Sequence, residues 1–260
     1  MKLTKIWFLF YISLPAGIVF RFLQLYFTID AKTGFYMPYA EGYGKALLIL
    51  IMLLTLAVGV FSYLCFIRPE KLPQKNIVTS VISCILAIII GAESFIIKPA
   101  FSVLPWQLSA FNFASLLFVL FLISFAIAPY FNIKIPPYLS SIPTIYLIAR
   151  TICDFTTVSK IALISDNIIL ISIYCVAMLF FINFARLYIG IDTDKCYKNI
   201  LSLGLSSVVL SFSFAVPNLA IGILDGKSYP HISIIPNIII LLLGIFIFTF
   251  VARYFSKKNI

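Results

Sequence analysis

Charge is what this sequence has least of. Asp, Glu, Lys and Arg make up 11% of its 260 residues, against roughly 25% in ordinary soluble domains. With 62% hydrophobic residues and a mean hydropathy of +1.11, a soluble globular fold is excluded and an all-α polytopic transmembrane helix bundle is expected. Histidine is scarcer still: His231 stands alone, which excludes HExxH zinc chemistry and any histidine-based metal centre. The five cysteines (Cys65, Cys84, Cys153, Cys175 and Cys196) include no CxxC pair, and they read as small apolar fillers and not as a disulfide framework. No GxxxxGK[ST] loop is present, so coupling to ATP would need another subunit. The string YIGIDTD (188–194) lacks the DG and the spacing of lipid-headgroup transferases. No GxGD aspartate pair is found, and the last apolar run has no lysine for a retinal Schiff base. No catalytic constellation is visible, so neither a cofactor nor a metal is expected, and a membrane enzyme stays open only as a third reading that would require a pocket holding a carboxylate of strongly perturbed pKa.

What is present in abundance is the long apolar run. Eight runs predict spans at 6–27, 46–67, 77–97, 106–128, 138–157, 166–189, 200–223 and 233–253, each near the roughly 20 residues that a helix needs to cross the hydrocarbon. The loops between them are too short to hold a soluble domain of roughly 50 residues or more, so residues 1–260 read as a single transmembrane domain. The start, MKLTKIWFLFYISLPAGIVFRF, resembles a signal peptide but has no A-x-A-type cleavage site, and is read as an uncleaved first span. The fifth span is followed by a mostly apolar stretch, VSKIALIS (158–165), where a kink or re-entrant segment is expected. The two four-span halves share little beyond an arginine in the outer half of spans 1 and 5, which does not establish a duplication.

The net charge of +10 is distributed as an orientation signal and not as a nucleic-acid stripe. With the N-terminus inside, Lys2, Lys5, Arg68, Lys71, Lys75, Lys134, Arg186, Lys195, Lys198, Arg253, Lys257 and Lys258 lie on the inner side. Lys32, Lys45, Lys98, Lys160 and Lys227 lie on the outer side. This bias places both termini in the cytoplasm.

Ionisable and amide side chains gather at one depth. At a helical rise of about 1.5 Å per residue, Arg21, Glu93, Arg150 and Asp154 stand about 18–24 Å above the inner ends of their spans. Asn112, Asn218 and Asn237 fall near the same level. Arg21 sits near a helix C-terminus, where the dipole favours a cation and the side chain is expected to snorkel outward. Asp166, in SDN, reads as an N-cap, and Arg186 as an anchor at the inner boundary. Arg150, Asp154 and Glu93 are less easily dismissed. Both carboxylates lie toward C-terminal helix ends, where the dipole opposes them, and a buried charge costs roughly 2.5–3.5 kcal/mol on insertion scales unless it meets a partner or water. The i,i+4 spacing puts Arg150 and Asp154 on one face. Two readings stay open: an ion pair extended by Glu93 that locks span 5 to span 3, or an outward-open pocket. In the second, Arg150 takes an anionic group and the carboxylates take a proton or cation. The outer loop TIDAKTGFYMPYAEGYGK (28–45) reads as an interfacial aromatic belt carried by Phe35, Tyr36, Tyr39 and Tyr43, with a lid over the bundle as the other option. His231 reads as a solvated loop residue.

The segments TGFY (33–36), FARLYIG (184–190) and the LG of span 7 resemble motifs of an uncharacterised group of bacterial multi-span membrane proteins. That resemblance implies the topology and no activity. The expectation is therefore a multi-pass bacterial cell-membrane protein, a small-solute permease or substrate-binding membrane subunit. Its site would be formed by Arg150, Asp154 and Glu93, with Asn112 and Arg21 nearby. Its partners would be the lipid bilayer, a small polar solute and another membrane or ATPase subunit, with no nucleic acid. The alternative is a non-transporting sensor or assembly partner whose buried charges are structural.

Overall fold

The computed structural model describes residues 2–30, 35–66, 77–97, 104–131, 136–158, 164–191, 194–224 and 234–255. These form eight α-helices: α1 (Lys2–Thr28), α2 (Glu41–Leu64), α3 (Ile77–Gly91), α4 (Pro105–Phe131), α5 (Ile142–Val158), α6 (Ile164–Tyr188), α7 (Asp194–Leu224) and α8 (Ile234–Tyr254). Among the described residues there is no β-strand, only an isolated bridge between Ile29 and Tyr36. Seven of the helices are long and apolar enough to cross a membrane, the architecture of a multi-pass bundle in which every backbone polar group is satisfied within its own helix. The eighth, α5, has 17 residues and is preceded by a 3₁₀ turn, Pro137–Ser141. Pro143 has no N–H to give the carbonyl of Leu139, and the Ile142 N–H takes that carbonyl instead, so the chain tightens before the α-helix begins. Residues 159–163, where a kink or re-entrant segment was expected, lie outside the described residues.

Two helices start five or six residues earlier than the hydropathy predicts. α2 opens at Glu41, whose carboxylate pairs with Lys45 one turn on, at 2.6 Å. α7 opens at Asp194, an acidic residue favoured by the helix dipole. α3 ends differently: its last turn widens into a π-helical segment, Ala92–Ile97, which carries Glu93.

The helices are not equivalent. α7 packs against α1, α2, α6 and α8, while α3, α4, α5 and α6 form a succession of neighbours that returns to α8 through α3. Accordingly 78% of the apolar stretch of α7 is buried, against 28% for α1 and 22% for α2. Small residues permit these close crossings. A Cβ on Gly204 would meet Val251 Cγ2 at 2.6 Å, and one on Gly59 would meet Ser206 Oγ at 2.7 Å. Facing this hub is an aromatic seam through α4, α6 and α8. The ring centroids of Phe125 and Phe246 are 5.4 Å apart, and those of Phe184 and Phe250 are 5.1 Å apart. Edge-to-face pairs of this kind add about 0.5–1.5 kcal/mol each beyond their burial.

Candidate functional site

The first polar cluster is built by α3, α4 and α5. Arg150 and Asp154 share a face of α5, and Nε of the guanidinium donates to Asp154 Oδ2 at 3.1 Å. Nη1 donates to Glu93 Oε2 at 2.6 Å. α3 and α5 both pack on α4, and the guanidinium spans between them above the Phe111 ring of α4, 5.6 Å from its centroid. The side chains of Glu93 and Arg150 are each 3% exposed and that of Asp154 14%, so the cluster is closed at Glu93 and slightly open at Asp154. Two carboxylates face one guanidinium: with all three ionised, these three side chains sum to one negative charge. Such a charge in a low-dielectric interior draws a proton or a cation.

The Tyr146 hydroxyl, one turn from Arg150 on α5, is buried beside the charges of Arg150, Glu93 and Asp154. Among the described residues, Ser94 Oγ, next in sequence to Glu93, and Asn112 Oδ1, next to Phe111, are buried with no hydrogen-bond partner. Tyr174 of α6 is buried on the far side and interacts electrostatically with both Asp154 and Arg150. The π-helical turn matters to this geometry, because the wider turn re-aims the side chains it carries; such turns are frequent at functional sites.

Arg21 is elsewhere. It is completely buried, forms an ion pair with Asp166 of α6, donates from Nη1 to Gln24 Oε1 at 2.6 Å and lies 5.5 Å from the centroid of Phe214 on α7. This corrects the expectation that Arg21 snorkels: an acidic partner lies within the bundle, and the described contacts of Arg21 are with Asp166, Gln24 and Phe214. Asp166 is not an N-cap: α6 begins at Ile164, and its third residue turns to the guanidinium instead.

The Arg21 cluster also holds the outer loop. Gln24 Nε2 donates to Tyr36 Oη and to the carbonyl of Gly44, both at 2.8 Å. Met37 N–H donates to the Thr28 carbonyl at 2.9 Å. Tyr36 lies so close over Gly44 that a Cβ there would collide with its ring. The loop therefore divides. Tyr36 is pinned into the α1–α2 junction, while Tyr39 and Tyr43, 80% and 74% exposed, face outward as interfacial aromatics do. Lys98, Lys160 and His231 lie outside the described residues. Of the amides expected at this depth, Asn218 and Asn237 turn to each other at 3.4 Å.

The inner half has polar contacts of its own. Asn199 Nδ2 donates to Asn183 Oδ1 at 3.1 Å, and the Ser202 and Ser206 hydroxyls of α7 donate to the carbonyls of Gly59 and Thr55 on α2, at 2.7 and 3.2 Å. The signal was present in α7 as serines four residues apart, which share a helix face. Arg186 is exposed, as an anchor at the boundary would be. Compared with known proteins, the chain matches no family model, no curated protein and no solved structure.

Proposed function

We propose that the protein is a small-solute permease, or the solute-binding membrane subunit of one, whose site is the Glu93–Arg150–Asp154 cluster. The observation that carries this reading is the pair of carboxylates on one buried guanidinium, an excess of one negative charge when all three are ionised. A purely structural ion pair needs one carboxylate. The second, at the more open end, is a place for a proton or a cation, while Arg150 offers its planar fork to an anionic group of the solute. Intramembrane ionisable residues mark such pathways more often than not. Arg21 belongs to the loop-holding cluster and is left out of this site. The reading places the protein in a bacterial cell membrane, with any ATP-driven step supplied by a separate subunit.

The test is the thermal stability of the detergent-purified protein against a panel of charged metabolites, beside Asp154→Asn. A compound that binds the native state raises the melting temperature as its concentration passes Kd. A compound that stabilises the wild type and not the variant supports the reading and identifies the solute class. If no compound stabilises the wild type, the triad is a lock between α3 and α5, as its direct ion pairs would also allow, and the protein is an assembly partner or sensor.

A further inference from the structure

A groove of about 520 Å³ opens on the surface between α2, α6 and α7. Its walls are Leu56, Val60 and Tyr63 of α2, Val176 of α6, and Ser202 and Leu210 of α7. The hydroxyl hydrogens on its floor are spent, Ser202 on the Gly59 carbonyl and Ser206 on that of Thr55. The Thr55 and Ser172 hydroxyls are likewise given to backbone carbonyls, so apart from the Tyr63 phenol the lining suits a hydrocarbon. Along α2 the groove runs from Met52 to Leu64, about 18 Å at a helical rise of 1.5 Å, close to the roughly 15 Å depth of one leaflet of hydrocarbon. Among the described residues, cations stand at the Tyr63 end. Lys198 Nζ is 5.6 Å from the Tyr63 ring centroid and 6.0 Å from that of Phe66, and Tyr63 is itself a wall of the groove. Lys195, Lys198, Ser202 and Ser206 fall at spacings of three, four and four, so they share one face of α7. That end is the inner one by the lysine and arginine distribution, where anionic lipid attracts basic residues.

We propose that this groove binds one acyl chain of an anionic phospholipid of the inner leaflet, with Lys198 and Lys195 holding its headgroup phosphate. The apolar walls fix the tail and the two ammonium groups select the charge of the head. The rings of Tyr63 and Phe66 keep Lys198 at the mouth of the groove.

The full chain is purified in mild detergent, titrated with phosphatidylglycerol or with phosphatidylcholine of the same acyl chains, and its retained lipids are counted by native mass spectrometry. Lys198→Gln removes the charge, and Val60→Trp fills the groove. Val60 is 51% exposed and Lys198 is only half-buried, so both variants keep the bundle, which circular dichroism verifies. The wild type is expected to retain phosphatidylglycerol at least about fivefold more tightly than phosphatidylcholine, the effect of roughly one lysine near an anionic lipid. Lys198→Gln should reduce the preference for phosphatidylglycerol, Lys195→Gln added to it should bring the two lipids level, and Val60→Trp should reduce retention of both. Equal retention by the wild type, an unchanged preference in Lys198→Gln or unchanged retention in Val60→Trp would each overturn the proposal. So would a dimer that Val60→Trp dissolves, which would assign the groove to a second copy of the chain.

Discussion

If Glu93 and Asp154 both serve one guanidinium, each should cover for the loss of the other. Removing one partner from a buried ion pair costs about 3–5 kcal/mol, because the remaining charge is stranded. Glu93→Gln and Asp154→Asn each leave Arg150 with a carboxylate at 3.1 Å or closer. The expected loss is then that of one charge-assisted hydrogen bond, about 1.5–3 kcal/mol, and smaller for Asp154, which is partly exposed and at the longer distance. The double variant strands Arg150 among Phe111 and Tyr146, and should lose more than the two singles added together, by about 1 kcal/mol or more. Arg150→Met leaves two carboxylates facing each other and should be worse than either single. Reversible unfolding in mixed detergent micelles reads these four free energies directly. Strict additivity of Glu93→Gln and Asp154→Asn, or an Arg150→Met no worse than Glu93→Gln, would refute the shared-guanidinium argument.

Other expectations follow from packing and topology. Gly204→Ala should destabilise by about 1–3 kcal/mol, because a Cβ there meets Val251 and Phe180 together. Gly222→Ala, which meets nothing within 4 Å, should not; the two melting temperatures settle it. Tyr36→Phe removes the hydrogen bond from Gln24, at about 1 kcal/mol. It should speed hydrogen exchange at residues 35–40 while leaving α4–α6 unchanged. In sealed vesicles, a cysteine at Tyr39 should react with an impermeant maleimide from the outside and one at Ile191 from the inside. Labelling of both from the same side would overturn the topology.

Height was legible in the sequence, and direction was not. The apolar runs map onto α1–α8 because hydrocarbon thickness fixes span length, and helical rise then put Arg21, Glu93, Arg150 and Asp154 at a common level. Nothing in a single sequence gives the angular position of a helix around the bundle. Arg21 thus joined the wrong cluster on paper and lies beside Asp166 in the fold. Asp166 itself showed why local patterns mislead: SDN at a helix start has the composition of a cap, but the residue lies inside α6 and pairs with a guanidinium 145 residues away. The Arg150–Asp154 pair was readable because both residues lie on one helix, whereas the π-helical turn that brings Glu93 to them has no sequence signature. The central place of α7 was hidden for the same reason. Its serines look like weak polarity in a hydropathy scan, yet they are the surfaces that let α2 approach.

The separation of Arg21 from its acid also has a consequence in time. α1 leaves the ribosome before α6, and Asp166 follows Arg21 by 145 residues, about 7–30 s at translation rates of 5–20 residues per second. Throughout that interval α1 must hold a guanidinium in or near the hydrocarbon without the carboxylate that pairs with it in the finished fold. Gln24, three residues on and 2.6 Å away in the finished fold, is able to accept from it at once. The first helix therefore waits at the edge of the insertion machinery or with its arginine turned to the headgroups. Its final seating is set by the arrival of the sixth.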